Sequence, residues 1–123
     1  MLTVHYRGPL SSCNYGCGYC PFAKAWEEPA VLEADRRGLE RFVTWCEAHG
    51  PGLSILFTPW GEALVRRWYR EAMVRLSHRV ARVAAQTNLS MKLDWLEQAN
   101  LDSLALWTTW HPGECSLERF LRQ

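Results

Sequence analysis

Long hydrophobic runs are missing from this sequence: none approaches the roughly 18 residues that span a bilayer, so membrane embedding is not expected. Charge of one sign is missing too. Fourteen Lys and Arg against 13 Asp and Glu leave a formal net charge of +1, which gives no electrostatic case for nucleic acid or an anionic membrane as a partner. No internal repeat and no low-complexity tract interrupts the chain. Cysteine is odd in number, at five, and no signal-peptide pattern opens the sequence. A disulfide framework is therefore disfavoured, and the cytoplasm, where thiols stay reduced, is the expected compartment. What the 123 residues do hold is 48% apolar side chains and seven tryptophans. That is enough to bury a core in one domain over 1–123, and it is not the composition of a disordered chain.

Three of the five cysteines, Cys13, Cys17 and Cys20, sit in one run, Cys-Asn-Tyr-Gly-Cys-Gly-Tyr-Cys. Gaps of three and then two gather three thiolates around one point and leave a fourth direction free of protein. Iron–sulfur clusters take thiolate ligands, and a cluster held by three of them has one iron open to an outside ligand. Gly16 and Gly18 permit a tight wrap, Asn14 tolerates turn geometry, and Pro21 blocks ladder pairing after the last ligand. Tyr19 is placed to cover one side of the site. The alternative is zinc, which takes four Cys or His ligands in structural sites. His5, His111 or Cys115 would supply the fourth, making the chain a structural or interaction domain, although no second pair of ligands follows. An electron carrier is a third reading, but such carriers usually ligate each cluster with four cysteines.

Periodicity outlines the rest. Leu2 to Tyr6 reads as a strand ended by Gly8-Pro9. Asp35 is expected to cap a helix with Leu39, Phe42, Val43 and Cys46 on its apolar face, stopped by Gly50. Leu53 to Phe57 is a second strand. A helix follows with Leu64, Val65, Trp68, Tyr69, Ala72, Met73 and Leu76 on one stripe, while Arg66, Arg67, Arg70 and Arg75 mostly take the solvated side. Val80 to Ala85 is a third strand, Met91 to Ala99 a short helix, and Ser103 to Thr109 a fourth strand. Ser116 would cap a last helix with Leu117, Phe120 and Leu121. The alternation predicts an α/β fold with parallel strands and right-handed crossovers.

The pattern Cys-x3-Cys-x-aromatic-Cys after a first strand resembles the radical S-adenosylmethionine (radical SAM) family. The run from Arg7 to Lys24, together with Trp110-His111-Pro112-Gly113-Glu114, looks most like a bacterial subfamily of unassigned reaction. The resemblance covers essentially the whole chain. It implies that Cys13, Cys17 and Cys20 bind a 4Fe–4S cluster whose remaining iron is chelated by S-adenosyl-L-methionine (SAM). An external flavodoxin- or ferredoxin-like donor would reduce the cluster. SAM would then cleave to methionine and a 5′-deoxyadenosyl radical that abstracts hydrogen from an unknown substrate. Lys24 would balance charge near the cluster.

Trp60-Gly61-Glu62 resembles the family's Gly-Gly-Glu segment, with Trp60 in place of the first glycine. By that likeness Gly61 and Glu62 would hold the SAM amino group. Read alone, Glu62 is an acid in the first turn of an Arg-rich helix. Thr87-Asn88 resembles the Thr-Asn that follows strand three, and Thr109 falls where family members bind the SAM ribose or carboxylate. Family domains are partial (β/α) barrels of about six units, and a full barrel takes about 250 residues. Four parallel βα units of such a core, the N-terminal portion of a truncated domain without its C-terminal strands, are therefore expected here. Gln123 falls in a helix only about two turns old.

Overall fold

The computed structural model describes residues 2–8, 29–58 and 62–108. Strand β1 (Leu2–Tyr6) leads to helix α1 (Pro29–His49), a 3-10 turn (Gly50–Gly52) and strand β2 (Leu53–Phe57). A second 3-10 turn (Ala63–Val65), helix α2 (Arg67–Ser77) and strand β3 (Arg82–Thr87) follow, then a third turn (Asp94–Gln98) and strand β4 (Leu104–Thr108). The four strands form one all-parallel sheet in the order β1-β2-β3-β4. The chain is thus α/β, as its alternation predicts. Among the described residues no helix is long and apolar enough to cross a membrane.

Both helices serve one face of the sheet. Leu53, Ile55 and Phe57 alternate inward along β2, and Val83 and Ala85 continue the layer on β3. They meet Leu39, Val43 and Cys46 of α1 and Tyr69, Ala72, Met73 and Leu76 of α2. Phe57 is the centre of this layer. Its ring meets those of Tyr6, Phe42 and Tyr69 edge-on at 5.7, 6.2 and 6.0 Å, a geometry worth about 0.5–1.5 kcal/mol per pair beyond burial. Cys46 is part of the core, as its place on the stripe implies, and burial pushes its thiol up to about 11. At the outer surface Arg75 joins the helices through Glu40 at 3.0 Å and Glu47 at 2.7 Å.

The opposite face carries His5, Leu56, Ala84 and Ala105 in one register row, with Gln86 beside Trp107 in the next. No described helix packs on it; both described helices pack on the Tyr6–Phe57 side.

Several expectations need correction. Asp35 does not cap α1: the helix begins at Pro29, whose fixed φ suits a first helical position, and Asp35 lies inside it, fully buried. The stripe beginning at Leu64 is two elements rather than one helix. Arg66 is extended, and the Glu62 side chain caps the short turn by accepting from Leu64 N. Strand β3 runs two residues later than Val80–Ala85, because Val80 N is spent on Leu76 O at the end of α2. The Met91–Ala99 helix contracts to the turn Asp94–Gln98, which has no side-chain cap and is too short to sustain an α-helix. Gly50 does stop α1, with φ at +64°. The expected helix after Ser116 lies outside the described residues.

Phe57→Ala should cost about 3–5 kcal/mol and Leu101→Ala, at an exposed turn, less than about 0.5 kcal/mol. Urea unfolding of the two variants checks the contrast.

Candidate functional site

The carboxyl ends of parallel strands collect binding groups because the loops that leave them share one rim. Two buried carboxylates organise that rim. The first is Glu62, 3% exposed, where the chain enters the turn before α2. Its Oε2 accepts from Thr87 Oγ1 at 2.8 Å and from Leu64 N at 3.2 Å, and its Oε1 accepts from Asn88 N at 2.6 Å. Two motifs that the sequence separates by 25 residues thus meet across the ends of β2 and β3. A carboxylate has about four lone-pair positions, so these three donors leave room for one more hydrogen bond. Burial pushes the Glu62 carboxyl above the usual carboxylate range, while the three donors pull it back.

The loop beyond is held by its own side chains. Leu89 N donates to Thr87 Oγ1 and Ser90 N to Asn88 Oδ1. Between them Leu89 takes φ +58°. A left-handed γ-branched residue costs about 1–3 kcal/mol and persists only where its surroundings impose it.

The second carboxylate is Asp35, fully buried. It accepts from Trp68 Nε1 at 2.8 Å and from Tyr69 Oη at 2.9 Å, both in the first turn of α2. Gly8, two residues beyond β1, lies against it: a Cβ there would sit 2.7 Å from Asp35 Oδ1 and 3.2 Å from Tyr69 Oη. Only glycine lets the chain leave β1 at this point. Beside it, Arg7 Nε donates to Thr58 O at 2.6 Å, and Thr58 N donates to Tyr6 O at 3.0 Å. Burial, and after it the nearby Asp35, raises the Tyr6 hydroxyl above its ordinary range. The exits of β1 and β2 and the starts of α1 and α2 are therefore tied at one end of the sheet.

Of the residues the sequence singles out, Glu62, Thr87 and Asn88 come together. His5 is exposed on the helix-free face of the sheet. Cys13, Cys17, Cys20, Tyr19, Lys24, Gly61, Thr109, His111 and Cys115 lie outside the described residues. Among the described residues no group of three or more His, Cys, Asp or Glu side chains is gathered as a metal ion would require. Asp35 is the residue that sequence reasoning placed wrongly. Its signal was its spacing, four and eight residues before Leu39 and Val43, which puts an acid on the apolar stripe.

No protein-family model matches the chain, and neither a curated protein nor a solved structure matches it.

Two outcomes are expected. Glu62 has a folded pKa above its unfolded value, so its contribution to stability is complete below about pH 4 and is lost as pH rises through the folded value. The stability advantage of the wild type over Glu62→Gln, measured by urea unfolding across a pH series, should therefore fall as pH rises. Asp35→Ala removes the bonds from Trp68 Nε1 and Tyr69 Oη and should cost at least about 1–3 kcal/mol, with Asp35→Asn losing less because its amide oxygen still accepts.

Proposed function

We propose that the chain is a radical SAM-type iron–sulfur protein, enzymatic in kind, whose substrate its residues do not name. The observation that carries the reading is the junction of Glu62 with Thr87 and Asn88. Segments chosen in the sequence for a shared likeness meet at the strand ends, beside the exit of β1 from which the cysteine segment departs. The sheet is proposed as one wall of a partial (β/α) barrel. Its strands neighbour one another in chain order without reversal, and both described helices pack on one face; a doubly wound sheet instead reverses at a switch point and covers both faces.

The donor chemistry fits the group. Three thiolates, Cys13, Cys17 and Cys20, would hold a 4Fe–4S cluster, leaving one iron for an external chelate. When bound and reduced by a flavodoxin- or ferredoxin-like partner, the cluster would supply the electron that cleaves SAM. Glu62 in this reading acts chiefly as a fixed post. Its carboxylate spends three acceptor positions on Thr87, Asn88 and Leu64, so it offers at most one further acceptor to an ammonium. Thr87 and Asn88 hold that post in place, Tyr19 would cover the cluster, and Thr109 would offer a hydroxyl to SAM.

Anaerobic reconstitution with iron and sulfide tests the proposal. About one 4Fe–4S cluster per chain is expected, with charge-transfer absorbance near about 400 nm and an electron paramagnetic resonance spectrum of the reduced cluster that changes when SAM is added. Cys13→Ala, Cys17→Ala and Cys20→Ala should each abolish loading. Bound zinc with neither iron nor sulfide would overturn the reading in favour of a structural zinc domain.

A further inference from the structure

The helix layer concentrates charge that the chain as a whole averages away. Residues 29–49 and 66–79 carry eight arginines, no lysine and five acids. One of those acids, Asp35, is fully buried, which leaves four acids to eight cations at the surface. The rest of the sequence reverses the balance, with six Lys and Arg against eight Asp and Glu. The net charge of +1 therefore hides this layer.

Between the two helices lies an open cleft of about 130 Å³. Leu39, Val43 and Ala72 make its floor together with Trp68, and Arg36, Arg67 and Arg75 stand at its lips. A cavity of about 150 Å³ takes a benzene ring, so the cleft has room for a single apolar side chain. Trp68 is fixed from below, because its Nε1 donates to Asp35 Oδ2 at 2.8 Å. An indole already held in place loses little further freedom when a partner arrives.

The three arginines differ in how far they are engaged. Arg75 bridges Glu40 and Glu47. Arg36 spends two of its five N–H donors on Glu33. Arg67 makes the loosest pair, 3.4 Å from Glu71 with the two side chains 78% and 63% exposed. Such a pair is worth little in water, and an incoming carboxylate can replace it.

We infer that this cleft docks an acidic segment of another protein. One apolar side chain of the segment enters over Trp68, and carboxylates on either side of it pair with Arg67 and Arg36. Arg and Trp are the side chains that most often anchor protein interfaces, and here they stand together on a rigid support. The glutamates interleaved with the arginines argue against a phosphate polymer, whose unbroken charge would meet them. A peptide can place its carboxylates between them. Every residue the inference uses lies in α1 or α2, so it goes beyond the cofactor reading and is independent of it.

The probe is a fluorescein-labelled peptide, Glu-Glu-Phe-Glu-Glu, titrated with the full chain and followed by fluorescence anisotropy. Saturable binding is expected, weakening as salt is raised. Arg67→Glu should weaken it about tenfold or more, while Arg82→Glu, at an exposed position of β3 outside the cleft, should leave it within about twofold. Circular dichroism checks that both variants remain folded. Exchanging the probe's Phe for Ala should also weaken binding by about tenfold, as the cleft is then left unfilled. Absence of saturable binding up to about 1 mM overturns the inference. Equal loss in the two arginine variants would mean unspecific attraction, and an Ala probe that binds as well would mean that the cleft is not used; either result sinks the idea. So does tighter capture of heparin, a polyanion without apolar side chains, which would make the layer a polyanion surface.

Discussion

One buried carboxylate holds the working end of this fold in register. Asp35 has no exposure to water, and a charge so placed is tolerable only if donors surround it. Two of its donors come from the first turn of α2, and a Cβ on Gly8 would collide with it. Satisfying the carboxylate therefore fixes three things together: the angle between the two helices, the height of α2 along the sheet, and the path of the chain leaving β1. The aromatic layer around Phe57 adds apolar burial and edge-on ring contacts, which tolerate small slips better than hydrogen bonds to a buried acid do.

Glu62 repeats the device one strand along. There the acid reaches from the β2 exit to the β3 exit, accepting one side-chain hydroxyl and two backbone N–H groups. The two carboxylates together tie β1, β2 and β3 at the same end of the sheet, while at the opposite end buried Ser77 accepts from Asn100 N and from Ser103 Oγ, tying the end of α2 to the start of β4. The acids thus give the loops that leave the strand exits fixed supports, as a site requires.

Much of this was legible in the sequence. The four strands, the parallel order and the helix stripes follow from alternating periods of apolar residues, and Leu39, Val43, Cys46, Met73 and Leu76 are buried where those periods put them. What was not legible depends on polar contacts between distant segments. Asp35 has the composition of a cap, and only the donors brought by α2 make it a core residue. Arg66 lies within a continuous helical stripe, yet it is extended because Glu62, drawn towards β3, ends the preceding turn early. Strand β3 is longer at its far end than its apolar run suggests, since Thr87 is held there by the same acid. Likeness grouped Glu62 with Thr87-Asn88 as contacts for a cofactor; it did not reveal that they contact each other.

The strand pairing also bears on the order in which the chain assembles. Register partners lie 51 residues apart between Leu2 and Leu53, but only 21 apart between Val83 and Leu104. By loop-closure entropy the first pairing costs about 0.8 kcal/mol more than the last, and contacts distant in sequence are the slow ones to form. A nucleus of β2, β3 and β4 with α2 is thus the kinetically accessible start, and β1 docks onto it afterwards. The long connection between β1 and β2 contains the cysteine run, so Cys13, Cys17 and Cys20 belong to the pairing whose partners are farthest apart in sequence. A ligand that gathers them would act on that closing step and not on the nucleus.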